Sequence, residues 1–485
     1  MGNRPNILFV FADQLRYDSL ACNGNTDVRT PNLDRFASEG CCFDQAFSGH
    51  PVCSPYRAQL LTGNYSHVNG VMCNQYRLRD NQVTLAQELG ACGYRTAYFG
   101  KWHLGFGPYP KRKRAGFDDL FAYNCTHHYF NVKYHHNEEG PFAIEEYAPD
   151  GETRLLLNYL DDHRKNSPNK PFCAMLSWGP PHWSSCTGIG REYGIYPRRF
   201  DIYDTEQITL PQNIPHPMRA YARREFADYY AMVTSLDECF GRILAALEEW
   251  NLADDTIVCF SSDHGDKIGA HGYGKPIWTW LPPNMREGKG TPYEESIHIP
   301  LLLRYPQRIG KGRRSGTFVN TVDVMPTLLG LCGLAPSQKV QGQDLSHAAL
   351  GTPGPEPDSV FFQNMGTLWP NRPEFIGFWR AVRTRQYTYA RWHDQGGKRM
   401  LFDRQADPWE MTNQINNPAC AAVAGEMEQR LQAWLKRTGD PFDTGRRLPV
   451  TQMLDIGQQF ANQRDYDTCP PAYREAIEKY MPTEF

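Results

Sequence analysis

The pentapeptide Cys53-Ser54-Pro55-Tyr56-Arg57 combines residue types that could do chemistry at a useful spacing. Pro55 early and Gly63 after Leu61 mark a short helix, so Cys53 falls at its N-terminus, where free amides and the helix dipole favour an anion. Arg57 lies four residues on, hence on the same face one turn later. A sulfur nucleophile and a guanidinium would then grip one tetrahedral oxyanion. The plain alternative is a cysteine in a capping region beside a surface arginine, and the pentapeptide alone is a weak signal. Further polar groups end apolar runs: Asp13-Gln14, Lys101 with His103, His182, and Asp263-His264. One acidic residue after a strand usually marks a turn, but four such ends are hard to explain that way. Asp13, Gln14, Asp263 and His264 offer carboxylate, amide and imidazole ligands, which suits one divalent cation such as calcium, magnesium or manganese.

These groups need elements that bring them together. Asn6–Ala12 reads as a buried strand, Pro31–Ser38 as a helix with Thr30 as N-cap, and Ser54–Leu61 as a second helix. Helix Thr84–Ala91 is followed by strand Arg95–Phe99, and the apolar strand Pro171–Trp178 runs into Gly-Pro-Pro-His-Trp. The long amphipathic helix Ala220–Trp250 leads to strand Thr256–Ser262. Ile299–Arg304 and helix Val324–Leu331 complete an α/β alternation, which predicts a large, mostly parallel central sheet flanked by helices. Such sheets bind ligands at the carboxyl ends of their strands, where these polar groups fall. After a Pro/Gly stretch at Gly351–Asp358, Phe375–Tyr389 and Lys398–Phe402 read as antiparallel strands and Ala419–Lys436 as a helix packed on them. The division expected is a catalytic α/β domain at 1–355 and a C-terminal α+β subdomain at 356–485.

Composition fits this picture. The 485 residues carry 51 Lys and Arg against 54 Asp and Glu, a net charge of −3, with 40% hydrophobic and 22% charged residues. That balance excludes a general electrostatic grip on nucleic acid or an anionic membrane. No apolar run approaches the roughly 18 residues of a spanning helix. Met1–Val10 lacks the features of a secretory signal, so a cytoplasmic location is expected and the sequons at Asn64 and Asn124 would be chance. Fourteen cysteines without a CxxC pair read as mostly buried free thiols. The run Lys111-Arg112-Lys113-Arg114 reads as a solvated loop in preference to a contact with an anionic substrate.

Cys53-Ser54-Pro55-Tyr56-Arg57, extended by Leu61-Thr62-Gly63, resembles the signature of the type I, formylglycine-dependent sulfatases of the alkaline phosphatase superfamily. Gly100-Lys101-Trp102-His103-Leu104-Gly105 is similar to their second signature. Asp263-His264-Gly265, Gly288-Lys289-Gly290-Thr291 and Tyr293-Glu294-Glu295-Ser296 match later motifs, so the resemblance runs in order from about residue 4 to 306. Leu401-Phe402-Asp403 and Asp407-Pro408-Trp409-Glu410 resemble the family's C-terminal subdomain. The resemblance implies an alkaline-phosphatase-like fold and a Cys53 oxidised by a maturase to formylglycine, whose hydrate attacks sulfur. It implies Asp13, Gln14, Asp263, His264 and the converted Cys53 as ligands of one divalent cation, calcium first and manganese or magnesium as alternatives. It gives Arg57 the task of holding the diol, Lys101 that of bracing sulfate and diol, and His103 the later proton transfer. His182 and Lys289 would bind a sulfate oxygen and protonate the departing alcohol. The substrate expected is a small or oligosaccharide sulfate ester, with homo-oligomerisation left open. The runner-up is a phosphonate monoester or phosphodiester hydrolase of the same superfamily, and a rival of another class is a catalytically dead binder of sulfated glycans.

Gln14 and His264 stand where many members carry Asp and Asn, which lowers the negative charge of the ligand set. Asn74 falls where the related phosphonate hydrolases carry a site asparagine, with a turn residue as the alternative. His271 reads equally as a substrate contact or as a histidine bonding a loop. Trp278 and Trp280 are candidates for a sugar-stacking platform, against simple packing. The histidines His127, His128, His135 and His136 lack the spacing of a defined metal site and read as an active-site rim loop.

Overall fold

The computed structural model describes residues 4–74, 76–182, 195–272, 288–365, 377–393 and 396–444, so Trp278 and Trp280 lie outside the described residues. Strands in chain order are β1 (Asn6–Asp13), β2 (Cys41–Phe43), β3 (Ala46–Phe47), β4 (Arg95–Lys101), β5 (Asp119–Tyr123), β6 (Val132–His136), β7 (Glu139–Ile144), β8 (Phe172–Pro181), β9 (Thr256–Ser262), β10 (Leu301–Arg304), β11 (Arg313–Ser315) and β12 (Val319–Asn320). Ten of them form one sheet in the order β11-β2-β10-β9-β1-β8-β4-β5-β6-β7, while β3 and β12 pair separately. β1 lies between β8 and β9 and runs parallel to both, and β4 runs parallel to β8. β10 is antiparallel to β9, and β6 and β7 are antiparallel additions at the far edge. The sheet is therefore mixed, with a parallel centre.

Alternation along β1 shows why its centre reads as an unbroken apolar run. Ile7, Phe9 and Phe11 enter one core with Tyr56, Tyr98 and Met325; Leu8, Val10 and Ala12 enter the other with Phe240, Leu244 and Leu160. Successive side chains point to opposite faces, and both faces are covered, so neither register position is polar. Helices Cys53–Thr62 and Thr321–Leu331 cover the first face, and the long helix Arg219–Glu249 covers the second.

A second, four-stranded antiparallel sheet follows, with β13 (Val360–Asn364), β14 (Trp379–Arg383), β15 (Tyr387–Trp392) and β16 (Arg399–Asp403) in sequential order. Helix Ala421–Thr438 packs on one face through Met427, Leu431 and Trp434. The other face joins Phe47, Ile297 and Phe318 from the first part of the chain. Gln363 N–H donates to the Gly49 carbonyl at 2.9 Å, and Trp379 Nε1 donates to the Gly290 carbonyl at 2.9 Å. The small sheet thus braces the loop before Cys53 and the segment carrying Lys289. No helix among the described residues is long and apolar enough to cross a membrane. Every described cysteine is a free thiol, as expected from the spacing.

Candidate active site

Four adjacent strand ends build the site. The register with β8 shifts between Ala12 and Asp13, and Gln14 follows with φ of 70°, so the chain leaves β1 in a sharp turn that re-aims Asp13. Gln14 N–H donates to Asp263 Oδ1 at 2.9 Å, and Leu15 N–H to Ser262 Oγ at 2.8 Å, which locks the ends of β1 and β9 together. Gly100 (φ 91°) precedes Lys101 where a Cβ would sit 2.1 Å from the Ser177 carbonyl oxygen, and Gly265 follows His264 where a Cβ would sit 1.9 Å from the Glu295 carbonyl oxygen. Neither position admits a side chain, so both glycines belong to their motifs for reasons of contact.

Cys53 opens its helix at the meeting point of these ends. Its Sγ lies 3.2 Å from His264 Nε2, 3.6 Å from Asp13 Oδ1 and 3.4 Å from Lys289 Nζ. In a converted side chain, Sγ marks where an oxygen on the same carbon would lie. Ligand atoms of Asp13, Cys53, Asp263 and His264 all lie within 4.8 Å of one another, and all four residues are buried. His264 Nδ1 sits 2.9 Å from the Gly265 carbonyl, so Nδ1 carries the proton and the Nε2 lone pair faces inward. Nε2 is 3.7 Å from Asp13 Oδ1 and 3.5 Å from Asp263 Oδ1. An imidazole lone pair and two carboxylates converging on one point repel one another, and a cation between them resolves that repulsion. The donor set therefore fits a hard divalent ion. Gln14, also fully buried, sits on the same turn as Asp13.

Cations surround this cluster. Arg57 Nη2 contacts Asp13 Oδ2 at 3.1 Å and Asp263 Oδ2 at 3.2 Å, while Nη1 donates to Ser177 Oγ, Tyr98 OH and the Lys101 carbonyl. Lys101 Nζ lies 2.7 Å from Asp13 Oδ2. Burial pushes the Asp13 carboxyl up, but the Lys101 and Arg57 charges outweigh it and hold it well below the usual carboxylate range. Burial, followed by the nearby Asp13 charge, raises Asp263. Arg57, Lys101 and Lys289 outnumber the two carboxylates even before any metal is counted, so the enclosed site is suited to an anion.

Two buried histidines adjoin this cluster. His103 is buried with φ of 54°, and among the described residues neither of its ring nitrogens has a hydrogen-bond partner. Burial, reinforced by Lys101 and Arg57, depresses its pKa well below the ordinary value, so it stands as a neutral base. His182 Nε2 lies 2.5 Å from Lys289 Nζ. Burial and then the Lys289 charge keep His182 neutral, whereas Cys53 and Asp13 overcome burial to raise Lys289. The shared proton of this pair therefore rests on lysine.

The outer candidates resolve differently. Asn74 Oδ1 accepts from Ser54 N–H at 3.1 Å, which makes it a cap on the helix that carries Cys53, and it also lines a neighbouring cavity. His271 Nε2 is 3.2 Å from Glu295 Oε2, and its ring stacks on Tyr293 at 3.9 Å, the loop-bonding arrangement. The four-histidine tract disperses: His127 stacks on His182 at 4.2 Å, His135 meets Tyr109 edge-on, and His136 stacks on Phe121. The active-site rim-loop reading holds for His127, which stacks on His182, while sequence reasoning missed Tyr98 and Ser177 behind Arg57. Ser177 falls near the carboxyl end of β8 (Phe172–Pro181), a signal that was available; the stacking of His127 had none.

Comparison with known proteins accords with this geometry. A sulfatase family profile matches residues 5–334, and one for the C-terminal region of N-sulphoglucosamine sulphohydrolase matches 288–437. The chain is 34% identical to an ulvan-active sulfatase of Formosa agariphila, over 90% of this chain and 82% of that protein. It is 29% identical to an endo-4-O-sulfatase of Bacteroides thetaiotaomicron, over 92% of this chain and 95% of the relative. A solved structure from a study of glycosaminoglycan metabolism by the same organism superposes with a TM-score of 0.78 at 27% identity, covering 92% of this chain and 99% of that one. A buried cysteine set among carboxylates, imidazole and three cations, on a fold and sequence shared with enzymes that cleave sulfate esters, places the chain in the sulfatase family of the alkaline phosphatase superfamily.

Proposed function

We propose that this sulfatase hydrolyses a carbohydrate sulfate monoester with a formylglycine formed from Cys53 and one divalent cation, calcium first and manganese or magnesium as alternatives. The observation that carries the reading is the position of Cys53 Sγ, within 3.6 Å of Asp13, His264 and Lys289 together. When bound, the cation would supply Lewis acidity to the nucleophile and charge for the sulfate oxygens. Asp13, Gln14, Asp263 and His264 would hold it. Arg57 fixes both carboxylates and the Lys101 carbonyl, and so orients the nucleophile's helix against the metal set. Lys101 braces the sulfate, and His103, neutral and buried, takes a proton during release. Lys289 with His182 holds the proton that the departing sugar oxygen needs. The relatives' names, ulvan-active and endo-4-O, support a sulfated sugar as substrate. In the same proposal residues 1–355 carry catalysis and 356–485 form a C-terminal subdomain that frames the substrate side.

The test combines peptide mass with turnover. Protein made beside a formylglycine-generating maturase should show Cys53 converted and should release sulfate from a defined set of sulfated saccharides. Cys53→Ala should be folded and inactive. Full activity with an unmodified thiol would overturn the nucleophile, and preference for phosphonate monoesters over every sulfate would overturn the substrate.

A further inference from the structure

A cavity of about 800 Å³ adjoins the site on the side of His103 and Asn74. Two loops build its walls, with lining residues 74, 76–80 and 82 after the Cys53 helix and others within 102–118 between β4 and β5. Its floor is aromatic, with Trp102, Tyr109 and Phe117 buried beneath it. Its rim is cationic: among the described lining residues, Arg77, Arg79, Lys111, Arg112, Lys113 and Arg114 stand with two carboxylates, Asp80 and Asp118. Arg77 contacts Asp80 at 3.0 Å, and Arg114 is held by the carbonyls of Tyr109 and Asp118. Lys111 and Arg112 are exposed on a short 3-10 turn.

A chain with a net charge of −3 does not gather six cations around one cavity by average composition. A solvated loop would scatter them over open surface. Here they converge on a concavity within the volume range of ligand sites, and its wall includes a buried histidine assigned to the reaction. Aromatic floor and basic rim together suit a sugar ring that carries an anion.

We propose that this cavity is a subsite for a second anionic group of the substrate, a sulfate or carboxylate on the sugar next to the one being desulfated, held by Arg79, Lys111 and Arg112. The inference rests on the carbohydrate reading of the adjoining site, and makes the preferred substrate an oligosaccharide with more than one negative charge. A monoanionic aryl sulfate fills only the catalytic end.

The experiment measures binding and turnover separately. On a Cys53→Ala background, calorimetry compares a monosaccharide monosulfate with disaccharides that add either a second sulfate or a uronate carboxylate. The same titrations are run with Arg79→Gln/Lys111→Gln/Arg112→Gln added. At least one disaccharide should bind roughly tenfold more tightly than the monosulfate, the scale of two or three exposed charge contacts. The triple variant should lose that margin, with monosulfate affinity within about twofold of the parent, and raised salt should erase the same margin. The disaccharide that gains identifies the anion. In otherwise wild-type enzyme the triple variant should raise KM for that disaccharide and leave 4-nitrophenyl sulfate turnover unchanged. Lys111→Gln/Arg112→Gln, confined to exposed positions, serves if the triple variant misfolds. Equal affinity for disaccharide and monosulfate, or equal damage to both, overturns the subsite. Disaccharide binding that depends on these residues, without hydrolysis of any saccharide, would instead overturn the carbohydrate-hydrolase reading and leave the subsite standing.

Discussion

Replacing Lys289 by alanine should separate sugar sulfates from activated aryl sulfates by two orders of magnitude or more. Lys289 Nζ lies 2.5 Å from His182 Nε2 and 3.4 Å from Cys53 Sγ, so it touches both the leaving-group side and the nucleophile side. Burial and the lysine charge keep His182 neutral, and the Asp13 charge, which remains when Cys53 is converted, favours the proton on Lys289. Removing the lysine therefore removes the pair's proton as well as one positive charge. The lost charge weakens transition-state stabilisation for every substrate alike. The lost proton harms only an alcohol that cannot leave as an anion, and general acid help of that kind is worth about 10²–10⁴-fold, or roughly 3–5 kcal/mol. The ratio of the two losses isolates proton transfer from electrostatics. The assay is kcat/KM of wild type, Lys289→Ala and His182→Ala on a sugar sulfate and on 4-nitrophenyl sulfate, whose nitrophenolate needs no proton. A Brønsted plot over substituted phenyl sulfates should steepen in both variants. Losses that agree within about threefold between the two substrate types would refute the assignment of Lys289 and His182 to the leaving group.

Asp263→Ala removes one of the two carboxylates facing His264 Nε2 and frees Arg57 from half of its anchor; metal content by elemental mass spectrometry and sulfate release should both collapse, while activity that survives exhaustive chelation would contradict a metal-dependent site. Glu152 is fully buried, accepts from Tyr134 OH at 2.6 Å, and is pushed by burial up to about 8 from an ordinary 4.5. The native state keeps this proton while the unfolded chain releases it, so stability should fall as pH rises from about 4.5 to 8, by up to roughly 1.4 kcal/mol per unit. Glu152→Gln should flatten that slope and raise the urea midpoint at pH 8, and an unchanged slope would show that the carboxyl is not neutral when folded.

The parts of the fold legible in the sequence are those written in local grammar. Helix Pro31–Ser38 and strand Thr256–Ser262 have the expected bounds, and β1 is longer by one residue, because unbroken apolar runs and Pro or Gly stops need no distant partner. Residues 119–166 carry no such signal. There β5, β6 and β7 are short and mix polar, aromatic and small residues without a steady period, and helix Ala148–Asn166 is rich in charge because only one stripe is buried. Type and position at strand ends singled out Asp13, Lys101, His182, Asp263 and His264, which the fold brings around Cys53 and Arg57, whereas Lys289 entered only through the family resemblance. That the proton rests on Lys289, that Asn74 caps the helix of Cys53, and that Lys111 and Arg112 overlook a cavity all depend on contacts between distant segments.

Why positions 13, 101, 182 and 263 should meet at all follows from the strand order. In the sequence β4-β8-β1-β9, four neighbouring parallel strands end on the same side, and strands lie about 4.8 Å apart. Their ends therefore span an arc of three intervals, about 14 Å, which side chains can close from both directions. Lys101, two strands from β1, needs the longest reach and has it: its Nζ lies 2.7 Å from Asp13. Asp263, one strand away, needs only a carboxylate, and it meets Gln14 through the backbone. The antiparallel β10 presents its opposite end at this edge, and among the residues placed in the site none comes from that strand. Residue length at each strand end thus tracks distance from β1. A lysine at position 263 would remove a carboxylate from the ligand set, and an aspartate at position 101 would remove the cation beside Asp13.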